Sequence, residues 1–377
     1  MNKIARKYIA LFVVCVMALQ LISCGVTNHN ADQATAVQGT VIEIEKYGHA
    51  VLNIQTAEFV ASGYELGDVV RVRLGTFEAT MPFFDGYYSN PGQLMLRGSA
   101  EEDNIAVCIN YGDFCGENQV KVGDTVEITL ADKAGMRELQ ELCALKYSND
   151  RVDYTDDVSF ANFRVVTAGR IGYGKLYRTA SPVNNAHGRA GYANDLIESV
   201  DVATVLNLAD SVEDIEEYFA EDGFDSAYYR SLYESGRVIA LDLTANFYSD
   251  DFANALAEGL TFLASNEPPY CIHCTEGKDR AGFTAMLMEA LMGATLDEII
   301  QDYMLSFYNY YGITKENEPQ RYQTVLEANL MEMLRYVTGD ETVAQLEQIP
   351  LEPAVTQYLI DAGMTQEDIS LLKEKLG

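Results

Sequence analysis

One short stretch, residues 268–284 (PPYCIHCTEGKDRAGFT), restricts the possible folds of this chain more than any other part of the sequence. An apolar run that suits a buried strand ends at His273, and Cys274 follows it directly. Arg280 is separated from the cysteine by five residues, and the residues after it predict a helix that ends near Gly293. A strand, a tight loop and a helix N-terminus in this order direct backbone N–H groups and the positive end of the helix dipole toward one point. The stretch therefore predicts a loop that binds a tetrahedral dianion such as phosphate.

The same loop carries a thiol and a guanidinium group. The field at a helix N-terminus favours a thiolate over a thiol, so Cys274 is a candidate nucleophile. The planar fork of Arg280 suits two oxygens of one phosphate group. The candidate substrate-binding residues are Thr275, Glu276, Gly277, Lys278, Asp279 and Arg280. The alternative interpretation is a buried structural cysteine followed by a charged turn. Cys271 is either a small buried strand residue or the partner of Cys274 in a reversible disulfide.

These residues resemble the signature of the cysteine-dependent protein tyrosine phosphatase superfamily, H-C-x5-R. The sequence HCTEGKDR is similar to the bacterial branch written HCxxGKDRTG, which includes secreted tyrosine and phosphoinositide phosphatases. The resemblance implies that Cys274 attacks phosphorus to form a phosphocysteine intermediate, and that no metal or other cofactor is needed. The branch has a threonine after the arginine, where this chain has Ala281. Because of that difference, the resemblance does not predict how fast the phosphocysteine intermediate is hydrolysed.

The resemblance also implies a general acid, for which two aspartates are candidates. Phosphatases of this superfamily usually carry it after the strand that precedes the crossover helix, and residues 238–243 (VIALDL) predict that strand, which makes Asp242 one candidate. Asp279 is the other, because an aspartate at this place in the loop has that role in the branch. In the family a lysine at the position of Lys278 accompanies tolerance for phosphoinositides and inositol phosphates; a solvated loop charge is the alternative. The carboxylate of Glu276 would repel ligands that carry several negative charges.

The resemblance covers residues 153–377 and predicts an α/β tyrosine-phosphatase-like domain with a mainly parallel central sheet flanked by helices. Residues 160–164 (FANFR) and 174–181 (GKLYRTAS) resemble the entry of the branch. A helix between the predicted strand at residues 238–243 and the predicted strand before Cys274 would make a parallel crossover. This crossover places the loop at the carboxyl end of a strand. Asn207 and Ala209 replace charged residues of the branch, so the role of those residues is open here.

Residues 38–133 predict a separate all-β domain. The phrases LGDVV and VGDTV each place a Gly-Asp turn before an alternating strand, and this pattern fits a small β-barrel or sandwich. The segment resembles the C-terminal β-domain of the S-adenosylmethionine hydroxide adenosyltransferase and halogenase family, over GTVIEIEKYGHAVLNI, GDVVRVRL and KVGDTVEI. No part of the sequence matches the catalytic half of that family, so the resemblance transfers no activity. Residues 134–152 predict a helical connector.

The first residues predict export. Residues 1–24 combine a basic start with an apolar run too short for a comfortable membrane span, and end in LISC. This resembles the bacterial lipoprotein signal, which implies cleavage before Cys24 and lipidation of its thiol. Residues 25–37 predict a flexible tether. The protein is therefore expected outside the cytoplasmic membrane and anchored to it by lipid. An ordinary secretory signal, giving a secreted protein, is the alternative.

A net charge of −31 over 377 residues argues against nucleic acid and anionic membrane surfaces as general partners. The predicted function is an exported phosphatase that hydrolyses phosphomonoesters through a phosphocysteine intermediate. Its expected partners are phosphorylated substrates: phosphotyrosine, with phosphoserine or phosphothreonine, phosphoinositides and inositol phosphates left open. The alternative is a catalytically weak phosphate-binding or scaffold lipoprotein in which the β-domain makes the functional contacts.

Overall fold

The computed structural model of the chain describes residues 34–99, 103–221, 226–339 and 350–377. Residues 34–377 form one unit, with a β-barrel toward its N-terminus and a five-stranded sheet flanked by helices after it. The predicted signal peptide, Cys24 and nearly all of the predicted tether lie outside the described residues. Among the helices that are described, none combines the length and the apolar character needed to cross a membrane.

Seven strands close into the barrel in the order β1-β2-β6-β5-β4-β3-β7, where the strands are β1 (Val37–Ile44), β2 (Ala50–Gln55), β3 (Val69–Leu74), β4 (Phe77–Phe84), β5 (Leu94–Arg97), β6 (Asn104–Ile109) and β7 (Thr125–Asp132). The barrel also includes two short helices in the connections between strands, α1 (Thr56–Ala61) and α2 (Phe114–Asn118). In β3, Val70 and Val72 are buried while Arg71 and Arg73 are exposed, which is the period of two expected for a half-buried strand. Strands β4 and β5 pair in parallel, so the barrel is mixed in direction. The prediction of a small β-barrel is confirmed.

The second part of the chain is built on five strands in the order β11-β10-β12-β9-β8, where β8 is Arg164–Val166, β9 is Leu176–Thr179, β10 is Thr204–Asn207, β11 is Val238–Ala240 and β12 is Tyr270–His273. Strands β11, β10, β12 and β9 pair in parallel, and β8 pairs antiparallel to β9 at the edge. The central strand β12 is buried along its whole length, as expected for a strand covered on both faces. The loop that follows it therefore lies at the middle of the carboxyl edge of the sheet.

Helices cover the sheet and continue to the C-terminus. They are α3 (Arg137–Cys143), α4 (Asp157–Phe160), α5 (Ala190–Ser199), α6 (Val212–Ala220), α7 (Ala227–Glu234), α8 (Asp250–Ser265), α9 (Asp279–Leu291), α10 (Leu296–Tyr311), α11 (Pro319–Val325), α12 (Glu332–Thr338), α13 (Leu351–Asp361) and α14 (Gln366–Leu376), with a 3₁₀ turn at Arg151–Asp153 and a π-helical turn at Leu326–Met331. Helix α8 begins after Ser249, whose hydroxyl caps it by accepting a hydrogen bond from Phe252 N (3.2 Å). Helix α9 is buried on all sides after its first turn, which places it in the interior.

The sheet separates two apolar clusters, and β12 contributes to both. Cys271 packs with Ile197 of α5 and Tyr229 of α7 on one face. Ile272 and Cys274 pack on the other face, with α8 and α9. Both cysteines are free thiols and belong to opposite faces, as the alternation of side chains along a strand requires. This arrangement supports the interpretation of Cys271 as a small buried strand residue.

Helix α3 joins the barrel to the rest of the unit. The side chain of Gln140 donates a hydrogen bond to Asp85 Oδ1 (2.8 Å) and accepts one from Asp85 N (3.3 Å), so it contacts the barrel just after β4. Two residues later, Leu142 packs into the apolar cluster beneath the sheet. Within the predicted helical connector, residues 134–152, the α-helix is short and covers only Arg137–Cys143.

Candidate active site

The loop between β12 and α9 is pressed against the end of strand β9. Gly277 has a φ of +67°, a conformation that side chains disfavour. A β-carbon at this position would also overlap the carbonyl oxygen of Thr179, the last residue of β9. Only glycine therefore allows the loop to approach the sheet this closely.

Four consecutive carbonyl groups of the loop accept hydrogen bonds from the surrounding scaffold. These bonds join Ser181 N to Thr275 O (3.1 Å), Asn162 Nδ2 and Tyr310 Oη to Glu276 O (3.2 and 2.6 Å), Arg178 Nη2 to Gly277 O (2.8 Å) and Arg178 Nη2 to Lys278 O (3.1 Å). In a trans peptide the C=O and N–H groups point in opposite directions. Since the carbonyls are held outward, the backbone N–H groups of the loop are turned toward its centre, where an anion would be bound.

A network of buried charges supports the loop from below. Asp302 of α10 accepts hydrogen bonds from Arg178 Nη1 (2.6 Å) and Arg164 Nε (2.7 Å), and the Arg178 side chain is fully buried. Burial acts to raise the pKa of Asp302, but the two guanidinium groups outweigh it and lower the pKa to about 2. Glu289 lies close by, and burial, reinforced by the charge of Asp302, raises its pKa well above the usual value. The network contains two guanidinium groups, the carboxylate of Asp302, and Glu289, whose charged form is disfavoured by burial.

The two predicted catalytic groups lie at opposite ends of the loop. Cys274 is buried at the start of the loop, directly after β12. Arg280 is in the first turn of α9, where its Nη1 donates to Leu243 O (2.7 Å) and its Nη2 donates to Thr275 Oγ1 (3.2 Å). These two bonds fix the plane of the guanidinium relative to the loop. Burial lowers the pKa of the neighbouring His273 to about 3, so its imidazole is neutral at physiological pH.

Lys278, whose side chain is 13% exposed, is engaged by neighbouring acidic groups. Its Nζ lies 2.9 Å from Glu276 Oε2 and 3.8 Å from Asp279 Oδ2, and it donates to Tyr311 Oη at 3.3 Å. Burial acts to lower the pKa of Lys278, but Asp279 and Glu276 raise it well above the usual value, so the ammonium group stays charged. Glu276 also accepts a hydrogen bond from the hydroxyl of Tyr147. The second cation of the loop is therefore paired rather than solvated, and little of its charge remains for a ligand.

Both candidate acids lie near the carboxyl edge of the sheet. Asp279 is the first residue of α9 and adjoins Arg280. Asp242 follows β11, which ends at Ala240, so the strand is three residues shorter than predicted. The reason is a left-handed backbone at Asp242 (φ +46°), which turns the chain and leaves this side chain exposed. The next residue, Leu243, supplies the carbonyl that Arg280 contacts.

A third carboxyl group, Asp210, is a site residue that sequence reasoning missed. It is buried after β10, and Asn207 Nδ2 donates to its Oδ2 at 3.0 Å. Burial raises the pKa of Asp210, although the hydrogen bond from Asn207 and the charge of Arg280 act in the opposite direction. Asp210 O also accepts a hydrogen bond from Asp242 N (3.3 Å), which places the two candidates next to each other. The signal in the sequence is a lone carboxylate directly after an apolar strand.

Asn207 itself closes the turn at the end of β10. Its Oδ1 accepts hydrogen bonds from Ala209 N (3.0 Å) and Asp210 N (3.1 Å). The amide that replaces a charged residue of the bacterial branch thus shapes the backbone and positions Asp210.

Comparisons with known proteins agree with this geometry. The family described as "Tyrosine phosphatase family" matches residues 160–377, which include the loop and its supporting charges. A solved structure, "Crystal structure of uncharacterized conserved protein from Thermotoga maritima", is 26% identical, with a TM-score of 0.24, and the match covers 29% of this chain and 42% of that chain. The match spans less than half of that protein's length. No curated protein matches the chain significantly. Because the family match covers more than half of the sequence, this chain belongs to the tyrosine phosphatase family.

Proposed function

We propose that the protein hydrolyses phosphotyrosine and related phosphomonoesters through a phosphocysteine intermediate. The observation that supports this most strongly is the arrangement of the loop: its carbonyl groups are bonded outward, Cys274 stands at one end, and Arg280 is fixed in orientation at the other. A scaffold of this kind suits an anion that gains charge on its equatorial oxygens during reaction.

In the first step, the sulfur of Cys274 attacks phosphorus. An S–P bond forms, the P–O bond to the leaving group breaks, and the leaving oxygen takes a proton from a carboxylic acid of the site. The loop N–H groups and Arg280 stabilise the charge on the three remaining oxygens. In the second step, water gives a proton to the carboxylate left by the first step and attacks phosphorus, the S–P bond breaks with its electron pair returning to sulfur, and inorganic phosphate leaves.

The charges near the loop favour substrates that carry one phosphate group. Lys278 would attract further phosphate groups, but Glu276 and Asp279 lie within 4.0 Å of its ammonium group and offset it. Phosphotyrosine is therefore the preferred substrate in this proposal. Phosphoserine, phosphothreonine, inositol phosphates and phosphoinositides belong in the test panel.

The experiment compares wild type with Cys274→Ser on p-nitrophenyl phosphate and on that panel. We expect steady turnover by wild type. Cys274→Ser should bind phosphopeptide but not turn it over, because a serine hydroxyl ionises far less readily than a cysteine thiol. Cys271→Ala, which changes the cysteine on the opposite face of the same strand, is the matched control and should keep turnover. Turnover by Cys274→Ser above the buffer rate would place the nucleophile elsewhere.

A catalytically weak phosphate-binding protein is the second candidate, and Ala281 is the observation that favours it. This residue is fully buried in the first turn of α9 and provides no hydroxyl where the bacterial branch has threonine. Burst kinetics separate the two functions. A slow second step would give one equivalent of nitrophenol and then stop, whereas an enzyme that turns over continues at a steady rate.

We also propose that the protein is exported and anchored by lipid at Cys24. The sequence of residues 1–24 supports this proposal. In a bacterial host, the full chain should sediment with membranes, and Cys24→Ala should release it to the soluble fraction. Equal distribution of both proteins would contradict lipid anchoring.

A further inference from the structure

A cavity of about 1160 Å³ lies beside the phosphate loop, and the barrel forms most of its wall. The loop side includes Lys278 and Asp279, and the barrel side consists of three turns, residues 46–49, 87–91 and 110–113. Pockets for drug-sized ligands have volumes of roughly 300–1,000 Å³. The cavity is therefore larger than a single phosphotyrosine side chain requires, and it adjoins the loop where the phosphate would be bound.

Exposed tyrosines converge on this cavity. Tyr47, Tyr87 and Tyr111 are 68%, 46% and 55% exposed, and all three line it. Among the described residues of the barrel, these are the aromatic side chains with the greatest exposure. Tyrosine offers a large amphipathic contact area with little conformational freedom to lose, and this makes it a frequent residue in surfaces that bind peptides and proteins.

Buried polar contacts hold part of this wall in place. Arg97 is buried in the barrel, donates a hydrogen bond to the hydroxyl of Tyr87, and pairs with Glu45 at 2.8 Å. The Tyr87 hydroxyl also lies 3.1 Å from His49 Nδ1. The side chains of Tyr87 and His49 are thus held by Arg97 and Glu45, neither of which lines the cavity.

Tyr111 is held in an unfavourable backbone conformation. Its φ is +56°, in the left-handed region that bulky residues rarely adopt. It is the middle residue of a turn in which Gly112 N donates to Ile109 O (3.1 Å). Strain of this kind persists where the surrounding structure enforces it and is concentrated at binding sites.

The charges of the lining argue for a peptide rather than a polyanion. Lys46 and Lys278 face the cavity together with Asp113 and Asp279, so the formal charges of these four side chains cancel. A ligand with several phosphate groups needs a net positive wall. A peptide segment, with its neutral backbone and mixed side chains, fits a neutral wall of tyrosines and amides.

We propose that this wall of the barrel binds the residues that flank the phosphotyrosine of a peptide or protein substrate. The inference rests on the proposed function, because it assigns the barrel to substrate recognition by the same loop. It predicts that the barrel contributes to the choice between phosphorylated peptides, and that small aryl phosphates use the loop alone.

The test uses the full unit with Tyr47→Ala and Tyr111→Asn combined. Asparagine tolerates the left-handed backbone at position 111, so the second change removes the ring without adding strain. Tyr173→Ala is the matched control, since Tyr173 is 84% exposed and does not line the cavity. For each protein, kcat/KM is measured on free phosphotyrosine, on a short phosphotyrosine peptide with uncharged flanks and on an inositol polyphosphate.

We expect the double variant to lower the ratio of kcat/KM for the peptide to kcat/KM for free phosphotyrosine by about tenfold, mainly through KM. Tyr173→Ala should leave this ratio as in wild type. An unchanged ratio in a double variant that is folded, as shown by its thermal unfolding, would overturn the inference. So would a drop in kcat/KM confined to the inositol polyphosphate, because the wall would then recognise a polyanion.

A binding measurement separates this inference from the proposed function. In the Cys274→Ser background, fluorescence anisotropy of a labelled phosphotyrosine peptide reports recognition without turnover. If wild type turns over none of the substrates but the peptide binds and the double variant weakens binding about tenfold, the hydrolytic function fails and the inference stands. If turnover is normal and the tyrosine changes leave peptide affinity unchanged, the inference fails and the function stands.

Discussion

The barrel and the phosphate loop border the same cavity but are stabilised in different ways. The barrel encloses one continuous apolar cluster, and its buried arginine, Arg97, has a partner, Glu45, that is partly exposed. Beneath the phosphate loop, by contrast, Arg164 and Arg178 share Asp302 inside the protein. The barrel thus depends mainly on apolar burial, while the loop depends on buried charges that must all be present together.

This difference predicts unequal sensitivity to substitution. Removing one partner of a buried ion pair leaves an uncompensated charge, which is far more destabilising than losing a pair open to solvent. The buried network is positioned to hold the loop carbonyls rather than to add stability, because burying charges is itself unfavourable. We therefore expect substitutions in the buried network to disturb the phosphate loop strongly, and substitutions in the barrel wall of the cavity to be tolerated better.

The largest expected effect concerns the general acid and tests whether catalysis is confined to the sheet edge. Asn is substituted in turn at Asp210, Asp242 and Asp279. The variant that lacks the true acid should lose about 10²–10⁴-fold in rate on phenyl phosphate and distinctly less on p-nitrophenyl phosphate, because a poor leaving group needs the proton most. Asp113→Asn, at the barrel side of the cavity, is the control. Equal slowing of both esters by all three variants would mean that none of them donates the proton.

The next effect compares buried pairs directly. Asp302→Asn should lower the free energy of unfolding by about 3–5 kcal/mol, since Arg164 and Arg178 would lose their shared carboxylate. Glu45→Gln, which weakens the pair with Arg97 in the barrel, should lower it by about 1 kcal/mol. Urea denaturation measures both, and Asp297→Asn, on the exposed side of α10, is the control. Equal losses at Asp302 and Glu45 would remove the proposed difference between the two regions.

The smallest effect is a pH dependence that arises from Glu289. Burial raises its pKa in the folded protein, so the folded state binds more protons than the unfolded chain above the ordinary glutamate pKa of about 4.3. The contribution of this group to stability is therefore complete below that pH and is lost as the pH rises toward the raised folded pKa. Glu289→Gln removes the titration.

We expect the unfolding free energy of Glu289→Gln to fall less than that of wild type as the pH rises above the ordinary glutamate pKa of about 4.3. The measurement is urea denaturation at several pH values, with Glu258→Gln on the exposed face of α8 as the control. Parallel curves for wild type and Glu289→Gln would show that Glu289 titrates alike in the folded and unfolded states.

Sequence reasoning succeeded where structure depends on neighbouring residues. The strand, loop and helix around Cys274 follow from local pattern, as do the helix caps at Ser249 and Thr365, whose hydroxyls accept hydrogen bonds from Phe252 N and Asp368 N. The two Gly-Asp turns indicated the barrel because each starts a strand with alternating side chains. In these places the period of the sequence and the turn residues determine the outcome.

Features that depend on residues distant in the sequence could not be predicted from the sequence. Arg178 is about one hundred residues from the carbonyls that it contacts, and Asn162 is farther still. Nothing in the local pattern shows that Asp210 is buried beside Arg280 or that the chain turns at Asp242. These facts arise from how the strands are ordered in the sheet and from one left-handed backbone angle, and neither is visible as a period in the sequence.

The two hydrogen bonds between Gln140 and Asp85 have a consequence for the dimensions of the cavity. They join the connecting helix to the barrel just two residues before Tyr87, while the same helix is anchored in the core at Leu142. The width of the cavity between the tyrosines of the barrel and the phosphate loop therefore depends on a helix that is held on both sides. In the proposed recognition mode, the substrate segment next to the phosphate would have to fit this width.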